Sequence, residues 1–101
     1  MPKYLVQANY VGEGIKGLLK EGGTGRRAAV EKLLGSVGGK MESFYYAFGG
    51  TDLFIVADLP DNVSAAALSL TVNASGAASS RVTVLLTAEE VDAAAKKTPS
   101  Y

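Results

Sequence analysis

The chain contains no cysteine and no histidine. The first absence removes disulfides and thiolate nucleophiles. The two together remove the usual zinc ligands, a histidine-ligated haem and the side chain that titrates most readily near neutral pH. Any catalysis would fall to Asp, Glu, Lys, Tyr, Ser or Thr. Without a base of the usual kind, Ser64, Ser69, Thr71, Asn73 and Ser75 make no triad. No metal and no cofactor are expected. An excess of charge of either sign is missing as well: ten Lys and Arg balance ten Asp and Glu. The chain therefore lacks the electrostatic footprint of a nucleic-acid or anionic-membrane binder. Long apolar runs are also absent. Met-Pro-Lys-Tyr-Leu-Val-Gln reads as a first strand and not as a signal peptide, which makes a cytoplasmic location the default expectation. Residues 62 to 80 carry no charge, but they are too rich in Ser, Thr and Asn to span a membrane.

With 101 residues, 48% hydrophobic and 20% charged, residues 1–101 make one domain near the lower size limit for a self-sufficient core. Help from a partner subunit is expected on that ground. Residues 3 to 11, KYLVQANYV, alternate as a half-buried strand. GEGIKGLLKEGG follows, with Ile15, Leu18 and Leu19 at helical spacing among five glycines, and reads as a mobile turn of helix between hinges. Thr24 then caps the first proper helix, marked by Val30, Leu33, Leu34 and Val37 and stopped at Gly38-Gly39. Residues 40–48 and 52–59 form a hairpin that ends at Pro60. Asp61 or Asn62 caps the alanine-rich helix VSAAALSLTVNAS. RVTVLLT is the last strand, and AEEVDAAAKK a short helix whose acids and lysines match the macrodipole. The order β-α-β-β-α-β predicts an α+β, ferredoxin-like sandwich, a four-stranded antiparallel sheet with two helices on one face and a C-terminal helix appended.

TGRR, GGKMESFYYAFGGTD, DLPDNVSAAAL and LLTAEEVDAA, in that order and spacing, resemble the GYD domain family over nearly the whole chain. The tripeptide that names the family reads here Gly50-Thr51-Asp52, with threonine in place of tyrosine. The resemblance implies a ferredoxin-like fold related to the dimeric α/β barrels and a homo-oligomer, dimer or higher, and brings no established activity. The related barrels include ligand-binding proteins and cofactor-free oxygenases or isomerases, an analogy at the level of fold.

Leu53, Ile55, Ala57 and Leu59 point to one face of the third strand, and Phe54, Val56 and Asp58 to the other. A solvated antiparallel face would read polar, and this one does not. Strict alternation in the second strand sets Tyr45 against Glu42, Phe44, Tyr46 and Phe48. If Val82, Val84 and Leu86 cover the helices, the open face carries Arg81, Thr83 and Leu85 from the last strand and Leu5, Gln7 and Asn9 from the first. Such a mixture suits a subunit interface or a ligand pocket, with Gln7, Asn9, Tyr46, Phe54, Arg81 and Thr83 as ligand contacts. Asp52 is either an acid or base at a pocket mouth or an acceptor for backbone amides beside the Gly49-Gly50 turn. Asp58 either pairs with Arg81 or lines a cavity. Tyr46 completes the candidates for catalysis, with Asp52 and Asp58. In EGGTGRR, glycines lead into a helix start bearing Arg26 and Arg27, so Gly25, Arg26 and Arg27 form a candidate anion site; solvated arginines with an inter-subunit salt bridge are the alternative. Three functions follow: an oligomeric small-ligand-binding or accessory module, a cofactor-independent enzyme using Asp and Tyr, or a structural protein whose only work is assembly.

Overall fold

The computed structural model describes residues 1–97 together with Pro99 and Ser100. The chain runs β1 (Lys3–Tyr10), α1 (Gly12–Ser36), β2 (Lys40–Tyr46), β3 (Leu53–Asp58), α2 (Asn62–Ala74), β4 (Ala78–Leu85) and α3 (Ala88–Lys96). All pairings are antiparallel and the sheet order is β2-β3-β1-β4. This is the expected α+β, ferredoxin-like arrangement, with a third helix added. Even-numbered residues of β1 and odd-numbered residues of β3 bury Tyr4, Val6, Ala8, Leu53, Ile55 and Ala57, which meet Leu34 of α1, Leu59, and Ala65 and Leu68 of α2. The one polar atom that this core draws inward is satisfied: the Tyr4 hydroxyl donates to Asn62 Oδ1 at 2.6 Å.

Strict alternation fails in β2. The register slips between Met41 and Ser43, a bulge that sets two residues against one on β3. Beyond it Phe44 pairs with Ile55 and Tyr46 with Leu53, so both rings join the helix side, while Tyr45 pairs with Phe54 on the open side and is 70% exposed. The expected assignment of Phe44 and Tyr46 to the open face is thereby reversed, because one inserted residue moves every following side chain across the sheet. At β4 the register places Val82 and Val84 toward the helices, yet Val84 is 52% and Leu86 62% exposed, so only Val82 is covered there. That strand starts three residues earlier than Arg81, since Ala78, Ser79 and Ser80 pair with Tyr10, Asn9 and Ala8.

Helix α1 also departs from expectation. It begins at Gly12, not at Thr24, and breaks at Gly22, whose φ of 78° and ψ of 167° lie outside helical space. A left-handed φ costs glycine nothing, which is why the break falls there. The glycine-rich first half is helical because it docks: Val11 N donates to Ala77 O at 3.0 Å, and buried Gly14 lies against the same carbonyl. Asp61 caps α2 by accepting the Ser64 amide at 2.8 Å, and Thr87 with Glu90 forms a capping box on α3. Helix α3 nonetheless buries no residue. The radius of gyration is 15.4 Å, against about 13 Å for a compact domain of this length.

Candidate functional site

Two surfaces compete for the role of site. The open sheet face presents Leu5, Phe54, Val56 and Leu85, all half-buried, with exposed Tyr45 and Thr83 and half-buried Gln7 among them. One end of this face is closed by ions: Lys3 Nζ lies 2.9 Å from Asp58 Oδ1 and 3.0 Å from Glu42 Oε1. The Asp58 hydrogen bond, followed by that of Glu42, raises the Lys3 pKa above its ordinary value. Asp58 therefore pairs with Lys3 and not with Arg81, because Lys3 is its direct partner in the register whereas Arg81 sits four residues along β4 from the Lys3 level. At the other end Arg81 Nη2 donates to Thr51 Oγ1 at 3.1 Å. Thr51 thus anchors the arginine to the β2–β3 loop.

Asn9 and Asp52 serve the same loop. The Asn9 amide donates to Gly50 O at 3.0 Å and accepts from Asp52 N at 3.3 Å. The Asp52 carboxylate accepts a backbone amide, but the donor is Tyr10 N at 2.9 Å and not an amide of the Gly49-Gly50 turn. Both side chains are engaged in fixing backbone. Six residues, 47–52, connect the strands, closed by Ala47 N donating to Asp52 O at 2.9 Å.

The second surface is a cleft on the helix side, between α1, α2 and the sheet. Its cavity measures about 70 Å³, with Val6, Ala8, Leu53 and Ile55 as floor and Val30, Leu33, Val72 and Val82 as walls. Helical spacing brings Val30 and Leu33 down onto it, as the sequence pattern predicts. Tyr10 and Arg26 stand at its polar end, and Ser69 and Ser80 line the α2 side. The Arg26 side chain is one-third exposed and its Nη1 lies 3.4 Å from Glu21 Oε2 across the break at Gly22. Partial burial lowers the Arg26 pKa, but the Tyr10 hydroxyl and the Glu21 carboxylate outweigh it and the net shift is upward. The Tyr46 hydroxyl donates to Gly23 O at 3.0 Å, and its pKa is raised by partial burial first and then by Tyr10. Tyr46 also meets Phe44 edge-on at 5.1 Å and stacks on Phe48 at 5.6 Å. Phe48 holds a left-handed φ of 55° to do so, a strained conformation for a side chain of that size.

Of the expected ligand contacts, the structure brings Gln7, Phe54, Arg81 and Thr83 to the open face and puts Tyr46 on the opposite one. Of the expected anion site, Arg26 turns into the cleft mouth, whereas Gly25 and Arg27 are exposed. Tyr10 was not among the sequence candidates, although its even number in β1, shared with Tyr4, Val6 and Ala8, was the signal that it faces the helices. Among the described residues no three His, Cys, Asp or Glu side chains group as metal ligands, and no helix is long and apolar enough to cross a membrane.

An antiparallel four-stranded sheet, helices stacked on one face and a half-apolar face left open define an α+β domain of the ferredoxin-like class. Within that class a family model described as GYD domain matches residues 4–95 of the 101, and the chain belongs to the GYD domain family. No curated protein matches it.

Proposed function

We propose that this chain is a homo-oligomeric small-ligand-binding or accessory module whose subunits join through the open faces of their sheets. The observation that carries the reading is the layout of that face. Apolar Leu5, Phe54, Val56 and Leu85 occupy its middle, and charged groups are held at its ends by Lys3–Asp58 and by Arg81–Thr51. An apolar centre with a polar rim is the anatomy of a subunit contact. Two further features agree. The radius of gyration exceeds that of a compact chain of this length, and α3, only nine residues long, buries nothing within its own subunit. A helix that short is marginal in water without a covering surface.

Sedimentation velocity across a range of concentrations tests the assembly. A species of at least twice 10.4 kDa that dissociates on dilution is expected. A concentration-independent monomer would sink the reading. Asp52 and Asp58, the acids of the enzyme alternative, accept from Tyr10 N and from Lys3 Nζ, which supports the binding reading over it.

A further inference from the structure

We propose that the helix-side cleft binds a short-chain aliphatic carboxylate, its chain lying among Val30, Leu33, Val72 and Val82 and its carboxylate held by Arg26 and Tyr10. This names the ligand class for the small-ligand-binding reading given above and rests on it. The size of the cavity sets the chain. About 70 Å³ is the share of roughly two water molecules, or of two to three methylene groups. A cavity that accepts benzene measures about 150 Å³, so an aromatic ring does not enter without displacing α1.

Charge sets the head group. Arg26 is the single ionised side chain among the residues that line the cleft. A guanidinium carries five N–H donors. That of Arg26 is engaged by two groups, a long hydrogen bond of 3.4 Å to Glu21 and the Tyr10 hydroxyl beside it, which leaves donors of the fork to spare. The polar groups at the other side are already mutually occupied, with Ser69 and Ser80 hydroxyls 3.4 Å apart and Ser80 N donating to Asn73 Oδ1 at 2.7 Å. Unspent hydrogen-bonding capacity therefore lies at the Arg26 end, in a setting where two-thirds of the side chain is already withdrawn from water. A planar carboxylate matches the guanidinium fork in two parallel bonds. A dianion such as phosphate fits worse, because the Glu21 carboxylate already neutralises part of the Arg26 charge and would repel a second negative charge.

The test uses the full chain and butanoate, whose three-carbon chain matches the cavity, as the probe, followed through the side-chain methyl resonances. Saturable shifts are expected at Val30, Leu33, Val72 and Val82, with Leu5, Val56 and Leu85 unmoved. Binding should be weaker by about tenfold or more, the loss of one charge-assisted interaction, for the isosteric neutral probe butanamide and for butanoate on the variant Arg26→Met, which keeps the apolar stem, than for butanoate on the wild-type chain. Tyr10→Phe should weaken it less, and Glu21→Gln, which frees the guanidinium, should tighten it. Shifts confined to the open face, or no saturable shift with the acid, would overturn the proposal. Equal affinity for amide and acid would overturn the carboxylate class while leaving ligand binding intact. Sedimentation of the same samples reports subunit association separately, so a monomer that binds the acid refutes the assembly and not the site.

Discussion

Phe54→Glu is the perturbation that separates an interface side chain from a core one. Phe54 lies on β3 with Gln7 and Tyr45 as its direct neighbours on the open face, and it is half-buried by them. Full burial of a large apolar side chain is worth about 1.5 to 3 kcal/mol. Since Leu5, Phe54, Val56 and Leu85 each keep at most about a third of their surface exposed within the subunit, roughly 0.5 to 1 kcal/mol apiece remains to be gained, and Tyr45, 70% exposed, adds about 1 to 2 kcal/mol, which makes about 3 to 6 kcal/mol for each copy. A symmetric pair gains about 6 to 12 kcal/mol, against an association cost of about 4 to 15 kcal/mol. For the proposed pair the gain and the cost are of the same size, so one charge is enough to tip the balance towards the monomer. Two glutamates forfeit about 1 to 2 kcal/mol of apolar contact and add like charges to a desolvated surface, which together weaken association by about a hundredfold or more. Sedimentation velocity and circular dichroism should show a folded monomer of 10.4 kDa. Ile55→Glu is the control: that side chain is 4% exposed beneath the helices, and the substitution should unfold the domain. If Phe54→Glu also unfolds the chain, Phe54 belongs to the core and the interface assignment is wrong. An undiminished oligomer would refute it equally.

Gly14→Ala should destabilise the fold despite alanine's better helix propensity of about 1 kcal/mol, because the new Cβ would overlap the Ala77 carbonyl and a backbone cannot rotate aside; overpacking of this kind costs about 1 to 3 kcal/mol, readable as a lowered urea midpoint. Asp52→Ala leaves the Tyr10 amide without its acceptor and should cost about 1 to 3 kcal/mol in the same assay, whereas an unchanged midpoint would show that water replaces the carboxylate fully. The Asp61 pKa is lowered by the Ser64 backbone amide, so its contribution is complete above the ordinary carboxylate range and disappears as pH falls through the folded value; Asp61→Ala should lower the melting temperature at neutral pH and make no difference in strong acid. Hydrogen exchange should show Gly12–Glu21 opening before β3, given its glycines and its few buried contacts, and protection equal to that of β3 would rule out a mobile cover.

The order of elements was readable because each carries its own period. Tyr4, Val6 and Ala8 alternate, Val30, Leu33, Leu34 and Val37 recur at helical spacing, and Asp61 with Thr87 are capping residues that compete well for backbone amides. The first half of α1 was less readable. Five glycines argue locally for a hinge, and only the docking of Val11 and Gly14 on Ala77, sixty-odd residues away, overrides that preference. Asp58 shows the same limit, since its choice of Lys3 over Arg81 depends on register and no local pattern encodes register. The loop contacts of Asn9 and Thr51 are likewise products of which strand lies beside which.

The bulge in β2 has the largest consequence for function. Neither glycine nor proline marks it in Met41-Glu42-Ser43, and a strand of period two read through it without correction puts Tyr46 on the open face. With the bulge, the expected open-face pocket loses its phenol, and that phenol joins Tyr10 and Arg26 at the cleft mouth, where its hydroxyl ties α1 to β2 through Gly23. Tyr45 takes the vacated place and adds an exposed ring to the apolar centre around Phe54. The slip thus separates two roles that uniform alternation assigns to one surface, leaving the open face aromatic and suited to another subunit while the hydroxyls and the guanidinium collect on the helix side. Glu42 rides on the same bulge, and its carboxylate turns to Lys3 together with Asp58 at the rim of the open face. Deleting Glu42, the residue that β3 leaves unpaired, would remove the bulge, keep Ser43 opposite Val56 and Tyr46 opposite Leu53 with its latch to Gly23 intact, and cost Lys3 one of its two carboxylates.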